Sequence, residues 1–298
     1  MKLDILLVGT GALATLFAAR LSEAGHDVSM LGTWKEGLSS LKAKGARLVT
    51  ADGSERAFKV HATDDPREVR GAKHVIVLVK SWQTERAARQ LQDVLAPDGL
   101  VLTLQNGLGN RETLAQNLGS ERVALGITTT GATLLGPGLA KVGGEGILSL
   151  EQNQALGPLE AALRSSNFNL QVVEDARSLV WGKLVVNAAI NPLTALLRVP
   201  NGELLERPSA RMVMSALAQE AADVAEAEGV RLPFDDPTET VEEVARKTAE
   251  NLSSMFQDVM RGAPTEIDAI CGAVTKHGER HGVSTPYNQI CWQLVKAL

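Results

Sequence analysis

The opening of the chain limits its folding options more than any other segment. An apolar, β-rich run over 3–8 passes at once into Gly9-Thr10-Gly11-Ala12-Leu13-Ala14, and an amphipathic stretch carrying Leu16, Phe17, Ala19 and Leu21 follows and stops at Gly25. The pattern reads as strand, tight turn, helix and helix stop. A second short strand is predicted over 28–31, and further buried-type strands over 74–79 and 100–104, with helical patterns between them. Strands that alternate with helices need crossover connections, so they build a parallel sheet. Two hairpins are predicted in addition, one at Asp52-Gly53 and one over 139–150 turning through Gly143-Gly144, which makes the far edge of the sheet mixed.

From about Asp175 the β runs vanish, and Ala-, Leu-, Glu- and Met-rich helical patterns cover Ala176–Leu197, 207–228, 241–259 and 266–281. A length of 298 residues suits two domains of roughly 150. The expectation is therefore residues 1–175 as one domain and 176–298 as a helical one. With 44% hydrophobic and 22% charged residues, disorder and fibrous rods are excluded. A net charge of -5, no basic run and 3% aromatic residues argue against nucleic acid as a partner. The two cysteines, Cys271 and Cys291, lack metal-ligand spacing and scaffold density, which implies a reducing compartment. The first apolar run ends too soon for a signal-peptide core, and the apolar stretch 184–197 is interrupted by Asn187, Asn191 and Pro192, so no membrane span is expected. A cytoplasmic protein follows as the expectation.

A turn from strand into helix points backbone N–H groups at a bound anion, and the helix dipole favours negative charge there. Gly9 and Gly11 permit close approach of a pyrophosphate, and Ala14 replaces the third glycine of the G-x-G-x-x-G fingerprint, where only a small residue is needed. A lone match is weak, but here it follows a strand, precedes a helix and has a second strand one helix later. The fold class is thus α/β: a Rossmann-type N-terminal dinucleotide-binding domain with a mixed sheet edge, followed by an all-α C-terminal domain. The acidic residue that binds the ribose hydroxyls of NAD is absent at the end of the second strand. Gly32-Thr33-Trp34-Lys35 stands there instead. Hydroxyl and cation suit the 2'-phosphate of NADP(H), although a solvated lysine at a helix start accounts for Lys35 equally well.

Lys183, Asn187 and Asn191 recur at i, i+4 and i+8, which stacks an ammonium and two carboxamides on one face of an otherwise apolar helix. A solvated face would carry Glu, Gln and Arg as well, so the stripe reads as the lining of a cleft, with Pro192 ending or kinking the helix beyond it. Hydride reduction of a ketone develops negative charge on oxygen, and a cation in a dry cleft both stabilises that charge and delivers the proton. A second cluster spans 251–258 and 262–268. There Thr265 and Asp258 can be helix caps and Glu266 a first-turn acid, a structural alternative of equal weight.

In this order the chain carries Gly9-Thr10-Gly11-Ala12-Leu13-Ala14, Lys80-Ser81-Trp82-Gln83, Gln105-Asn106-Gly107, the Lys183 stripe, Pro200-Asn201-Gly202-Glu203, Ser253-Ser254-Met255 and Thr265-Glu266-Ile267-Asp268. Taken together, over nearly the whole chain, the set resembles the ketopantoate reductase (2-dehydropantoate 2-reductase) family. The resemblance implies NADPH-dependent reduction of 2-dehydropantoate to (R)-pantoate on the way to pantothenate and coenzyme A. It implies Lys183 as proton donor, Asn106, Asn187, Asn191, Asn201, Asn251 and Ser254 around the substrate, and Asn106 and Lys80 near the cofactor. Glu266 resembles the family's acidic residue near the nicotinamide ribose and the substrate hydroxyl. The family's arginine after the second strand is replaced by Thr33-Trp34-Lys35, which leaves cofactor choice open. Two rivals stand beside this reading: a reductase of another small branched 2-oxo acid, and a noncatalytic dinucleotide sensor. A homodimer through the Ala-rich C-terminal helices is a further expectation.

Overall fold

Runs rich in Val, Ile and Leu in the first half of the chain form strands buried on both faces, as parallel sheets require. The computed structural model describes residues 2–50 and 53–298. They divide into two units, one reaching Ala176 apart from Asn106–Gly109, the other made of those four residues and Arg177–Leu298.

The first unit contains β1 (Asp4–Val8), α1 (Ala12–Glu23), β2 (Asp27–Leu31), α2 (Lys35–Lys44), β3 (Ala46–Val49), β4 (Glu55–Phe58), β5 (His61–Thr63), β6 (Ala72–Val77), α3 (Thr84–Val94), β7 (Leu95–Thr103), α4 (Asn110–Leu118), β8 (Val123–Thr128), β9 (Gly131–Gly136), β10 (Leu139–Gly144), β11 (Ile147–Glu151), α5 (Gly157–Ser165) and β12 (Asn169–Val173). Among the described residues, eight strands form one sheet in the order β12-β11-β8-β7-β6-β1-β2-β5, and four form a second in the order β4-β3-β10-β9. Within the large sheet the pairing is parallel except between β8 and β11. The sheet is therefore mixed, as the sequence predicts.

The smaller sheet corrects two expectations. Gly143-Gly144 is not a hairpin turn: both glycines lie within β10, Gly144 pairs with Gly131 of β9, and β11 belongs to the other sheet. A glycine pair marks close backbone approach as readily as a turn, and here it does the former. Around the predicted Asp52-Gly53 hairpin, β3 and β4 do pair antiparallel, while Asp52 itself lies outside the described residues. The second correction concerns α1. The stretch reads as amphipathic, yet Ala14 to Leu21 are all buried, because β1 and β2 cover one side of the helix and β3, β4, β9 and β10 the other. A helix with two covers needs no polar face.

The second unit contains α6 (Ala176–Leu197), which begins at the last residue of the first unit, then α7 (Pro208–Ala227), α8 (Pro237–Lys247), α9 (Ser254–Met260), α10 (Cys271–His281) and α11 (Pro286–Lys296). Its core holds Trp181, Leu184, Val185, Met214, Leu217 and Val274. The predicted helix over 241–259 is broken into α8 and α9, since Asn201 and Gly202 donate their N–H groups to the carbonyls of Asn251 and Ala249 in the intervening loop. The predicted helix over 266–281 starts at Cys271 instead. The sequence expectation also treats the apolar stretch of α6 as too short to span a membrane. The helix is in fact 22 residues long, with an 18-residue window of mean hydropathy 1.3, long and apolar enough by those measures, and 67% of that window is buried inside the protein, as in a core helix.

Candidate active site

The end of the first unit where β1 turns into α1 is made almost wholly of backbone. Gly9 has φ +134°, and a Cβ there would lie 3.1 Å from the Leu78 carbonyl carbon, so only glycine lets β1 turn out of the sheet at this point. The Gly9 N–H is held by the carbonyl of Leu31 at 2.8 Å. Thr10 is buried, and a Cβ on Gly32 would meet its Cγ2 at 2.6 Å, so the two loops pack flush. Gly11 caps α1, and among the described residues the N–H groups of Gly11, Ala12, Leu13 and Ala14 have no acceptor. A Cβ on Gly11 would meet nothing within 4 Å, so nothing in the chain itself requires glycine there; the open space above the helix start is what a bound diphosphate would fill. The loop therefore fits a dinucleotide.

After β2, Thr33 and Lys35 are exposed, and the Trp34 ring packs onto Gly37 so closely that a Cβ there would collide with it. Lys80 sits half-buried at the start of the 3-10 turn Ser81–Gln83. That turn is stitched to the segment after β7 by Gln105 of the Gln105-Asn106-Gly107 motif together with Thr84 and Asn110, which no sequence motif marks. Gln105 donates through Nε2 to the Val79 carbonyl at 3.0 Å and to Thr84 Oγ1 at 2.8 Å, and Thr84 donates to Asn110 Oδ1 at 2.8 Å.

In the second unit Lys183, Asn187 and Asn191 all lie on α6, the first two half-buried and Asn191 buried. Burial pushes the Lys183 ammonium down to about 8, and the negative charge of Glu266 partly opposes the shift. Glu266 is 5% exposed, and its Oε2 accepts from Asn106 Nδ2 at 3.3 Å. The segment bearing Asn106 is fixed beside it: Leu108 donates to the Ala269 carbonyl at 3.0 Å, and Gly107, at φ +81°, presses against that same carbonyl where no Cβ would fit. Asn106, Lys183 and Glu266, far apart in sequence, are thus one cluster.

The helix-cap reading of this region fails. Glu266 lies in an irregular turn five residues before α10, the Thr265 hydroxyl reaches only the Ile267 N–H at 3.4 Å, and the Asp258 carboxylate pairs with Arg261 at 2.8 Å.

Asn187 and Asn191 form no side-chain hydrogen bond among the described residues, so both carboxamides are available to a ligand. Asn201 stands differently. It is buried, donates to Thr248 Oγ1 at 2.9 Å, and its Oδ1 has no partner among the described residues. Asn251 and Ser254 are exposed on the α8–α9 loop and at the first residue of α9. Pro192 lacks the N–H that would bond the Ala188 carbonyl, and the buried Cys271 thiol approaches that carbonyl at 3.8 Å. Both cysteines are free, and burial raises both thiols, Cys291 to about 11. No group of three or more His, Cys, Asp or Glu among the described residues could hold a metal.

A glycine turn whose backbone fits a diphosphate, on a largely parallel sheet, and a half-buried lysine set beside a carboxylate and an amide on a helical unit are the parts that an oxidoreductase using a nicotinamide dinucleotide needs. Residues 5–154 match the family described as "Ketopantoate reductase PanE/ApbA", and residues 175–298 match its C-terminal counterpart. The 2-dehydropantoate 2-reductase of Archaeoglobus fulgidus is 38% identical over 297 residues, 98% of this chain and 96% of that protein. A PanE/ApbA family ketopantoate reductase from Ralstonia eutropha superposes with a TM-score of 0.92 at 32% identity, covering 99% and 97% of the two chains. D-mandelate dehydrogenase in a ternary structure with NADH and anilino(oxo)acetate also reaches 0.92, at 28% identity and the same coverage. The chain belongs to the ketopantoate reductase family.

Proposed function

We propose that the chain reduces 2-dehydropantoate to (R)-pantoate with NADPH, in the cytoplasmic supply of pantothenate. The observation that carries the reading is Lys183: a half-buried ammonium pushed down to about 8 beside Glu266, on a helix face whose other polar groups are carboxamides free to bind a ligand. A nicotinamide dinucleotide, when bound, supplies the hydride that adds to C2. Lys183 holds the balancing proton close to neutrality and gives it to the oxygen as charge develops there. Glu266 keeps that ammonium protonated to a higher pH than burial alone would allow, and it fixes the Asn106 carboxamide. Asn187 and Asn191 donate to the oxygens of the acid and set its orientation. Asn251 and Ser254 contribute from α9 and the loop before it, and Asn201 acts by holding that loop through Thr248 and Asn251.

On the nucleotide side, the N–H groups of Gly11 to Ala14 receive the diphosphate, and Thr33 and Lys35 receive the 2'-phosphate. Trp34 lies against Gly37, so the loop offers that phosphate one hydroxyl and one flexible cation.

The D-mandelate dehydrogenase likeness supports a second reading, a reductase of a different small 2-oxo acid that uses NADH. One assay separates the two: NADPH and NADH oxidation by purified protein with 2-dehydropantoate and with phenylglyoxylate. The first reading expects the higher kcat/KM on 2-dehydropantoate with NADPH. Higher kcat/KM on phenylglyoxylate supports the second, and dinucleotide binding without turnover of any 2-oxo acid supports the sensor.

A further inference from the structure

Thr194 lies two residues beyond Pro192 and is wholly buried. Its hydroxyl is within 3.0 Å of the carbonyl oxygens of Ile190 and Asn191 on its own helix, and 2.7 Å from Ser253 Oγ on a segment 59 residues away. Ser253 is itself buried and caps α9, accepting the Phe256 N–H at 3.1 Å. The next residue along is Ser254. The other end of the α8–α9 loop is pinned where Asn201 and Gly202 donate to Asn251 and Ala249. The loop is therefore held from the Asn201–Gly202 side and, through Ser253, to the helix bearing Lys183, Asn187 and Asn191. A buried threonine in a helix can satisfy itself on the carbonyl one turn back. This one also reaches the oxygen that starts another helix, at the site where proline has already weakened the ladder of α6.

We propose that Thr194 is the positioning residue that sets the register between the α6 carboxamides and the Asn251–Ser254 segment, and so governs binding of the 2-oxo acid without touching it. The proposal rests on the reductase reading above. Removing the hydroxyl leaves the Ser253 oxygen its bond from the Phe256 N–H but unties it from α6, so the start of α9 moves relative to α6 and the acid loses contacts made from both sides. Lys183 lies three turns earlier on α6, so proton delivery to an acid that does bind is preserved, and the nucleotide loop is in the other unit.

The test compares Thr194→Val, which keeps the shape and deletes the hydroxyl, with Thr194→Ser, which keeps the hydroxyl and deletes the methyl, and with Ser253→Ala, which removes the same contact from its other side. Steady-state kinetics on 2-dehydropantoate and NADPH titration give the readouts, with thermal unfolding as a control on folding. We expect KM for the acid to rise about tenfold in Thr194→Val, the loss of roughly one buried hydrogen bond. We expect kcat within about twofold of wild type, unchanged NADPH affinity, recovery of KM in Thr194→Ser and a parallel KM rise in Ser253→Ala. Should Thr194→Val fail to fold, Ser253→Ala against Thr194→Ser decides. A wild-type KM in the hydroxyl-deleted variants, or a Thr194→Ser as impaired as the valine, overturns the proposal while leaving the reductase reading intact. A wild-type protein that turns over no 2-oxo acid overturns both.

Discussion

In the first unit the proposed binding surface after β1 is backbone: four N–H groups at the start of α1, a turn at φ +134° that favours glycine, and a wholly buried alanine where bulk would not pack. In the second unit the proposed surface is side chains drawn from three separate stretches, with Asn106, Lys183 and Glu266 brought together by tertiary structure. A backbone site is set by local conformation and tolerates change in most of its side chains. A side-chain cluster is set by each residue's identity and by whatever holds the elements in register. The two should respond to mutation in different ways.

The largest contrast is expected at Lys183. Replacing it with alanine should lower kcat by roughly 10² to 10⁴, the cost of losing a positioned acid, with NADPH affinity and thermal stability close to wild type. Single-turnover NADPH oxidation reads the loss directly, and wild-type turnover in the mutant would remove the proton-donor role.

Glycine substitutions extend the comparison, because one glycine in each region cannot accept a Cβ. Gly9→Ala should weaken dinucleotide binding by about 1–3 kcal/mol, the strain of forcing a side chain into that conformation, and leave KM for the acid unchanged when the cofactor saturates. Gly107→Ala should do the reverse, raising KM for the acid as Asn106 is displaced from Glu266. Titration of the dinucleotide beside acid-dependent kinetics checks both, and identical profiles would mean that the two surfaces are not separable.

Cofactor choice is the smallest effect. Thr33 and Lys35 offer a hydroxyl and a hydrated point charge, weaker than a planar guanidinium. NADPH should be preferred over NADH by about 1–3 kcal/mol in kcat/KM, and Thr33→Arg should widen that margin. Equal use of the two cofactors by the wild type would show that this loop does not read the 2'-phosphate.

The same contrast explains what could be read from the sequence. The strand, glycine turn and helix at 3–23 are local, so β1, α1 and the loop between them were legible as a string. The stripe of Lys183, Asn187 and Asn191 was legible because helical periodicity puts residues four apart on one face. Gly143-Gly144 misled because a glycine pair looks alike in a turn and in two closely apposed strands. The all-round burial of α1 is hidden in the sequence because the second sheet that covers it comes from Ala46–Val49, Glu55–Phe58, Gly131–Gly136 and Leu139–Gly144. The helix over 241–259 was overextended because the contacts that break it come from Asn201 and Gly202, about fifty residues earlier in the chain. The pairing of Thr194 with Ser253 gives no signal in the sequence, where Ser253 stands out only as part of Ser253-Ser254-Met255 and a threonine in a helix is ordinary until the two oxygens are found 2.7 Å apart.

The pH dependence of kcat/KM for 2-dehydropantoate reduction, in wild type and in Glu266→Gln, tests most directly whether Lys183 is the acid. Burial lowers the ammonium to about 8 and Glu266 holds it up, so the protonated form that reduction needs is lost as pH rises through that value. The wild type should therefore keep full activity below about 8 and lose about tenfold per pH unit above it, while oxidation of pantoate gains over the same range. Glu266→Gln should move the falling limb to lower pH, because the opposing charge is gone. A reduction profile that stays flat past pH 9, or a limb that does not move in Glu266→Gln, would contradict the assignment of the proton to Lys183.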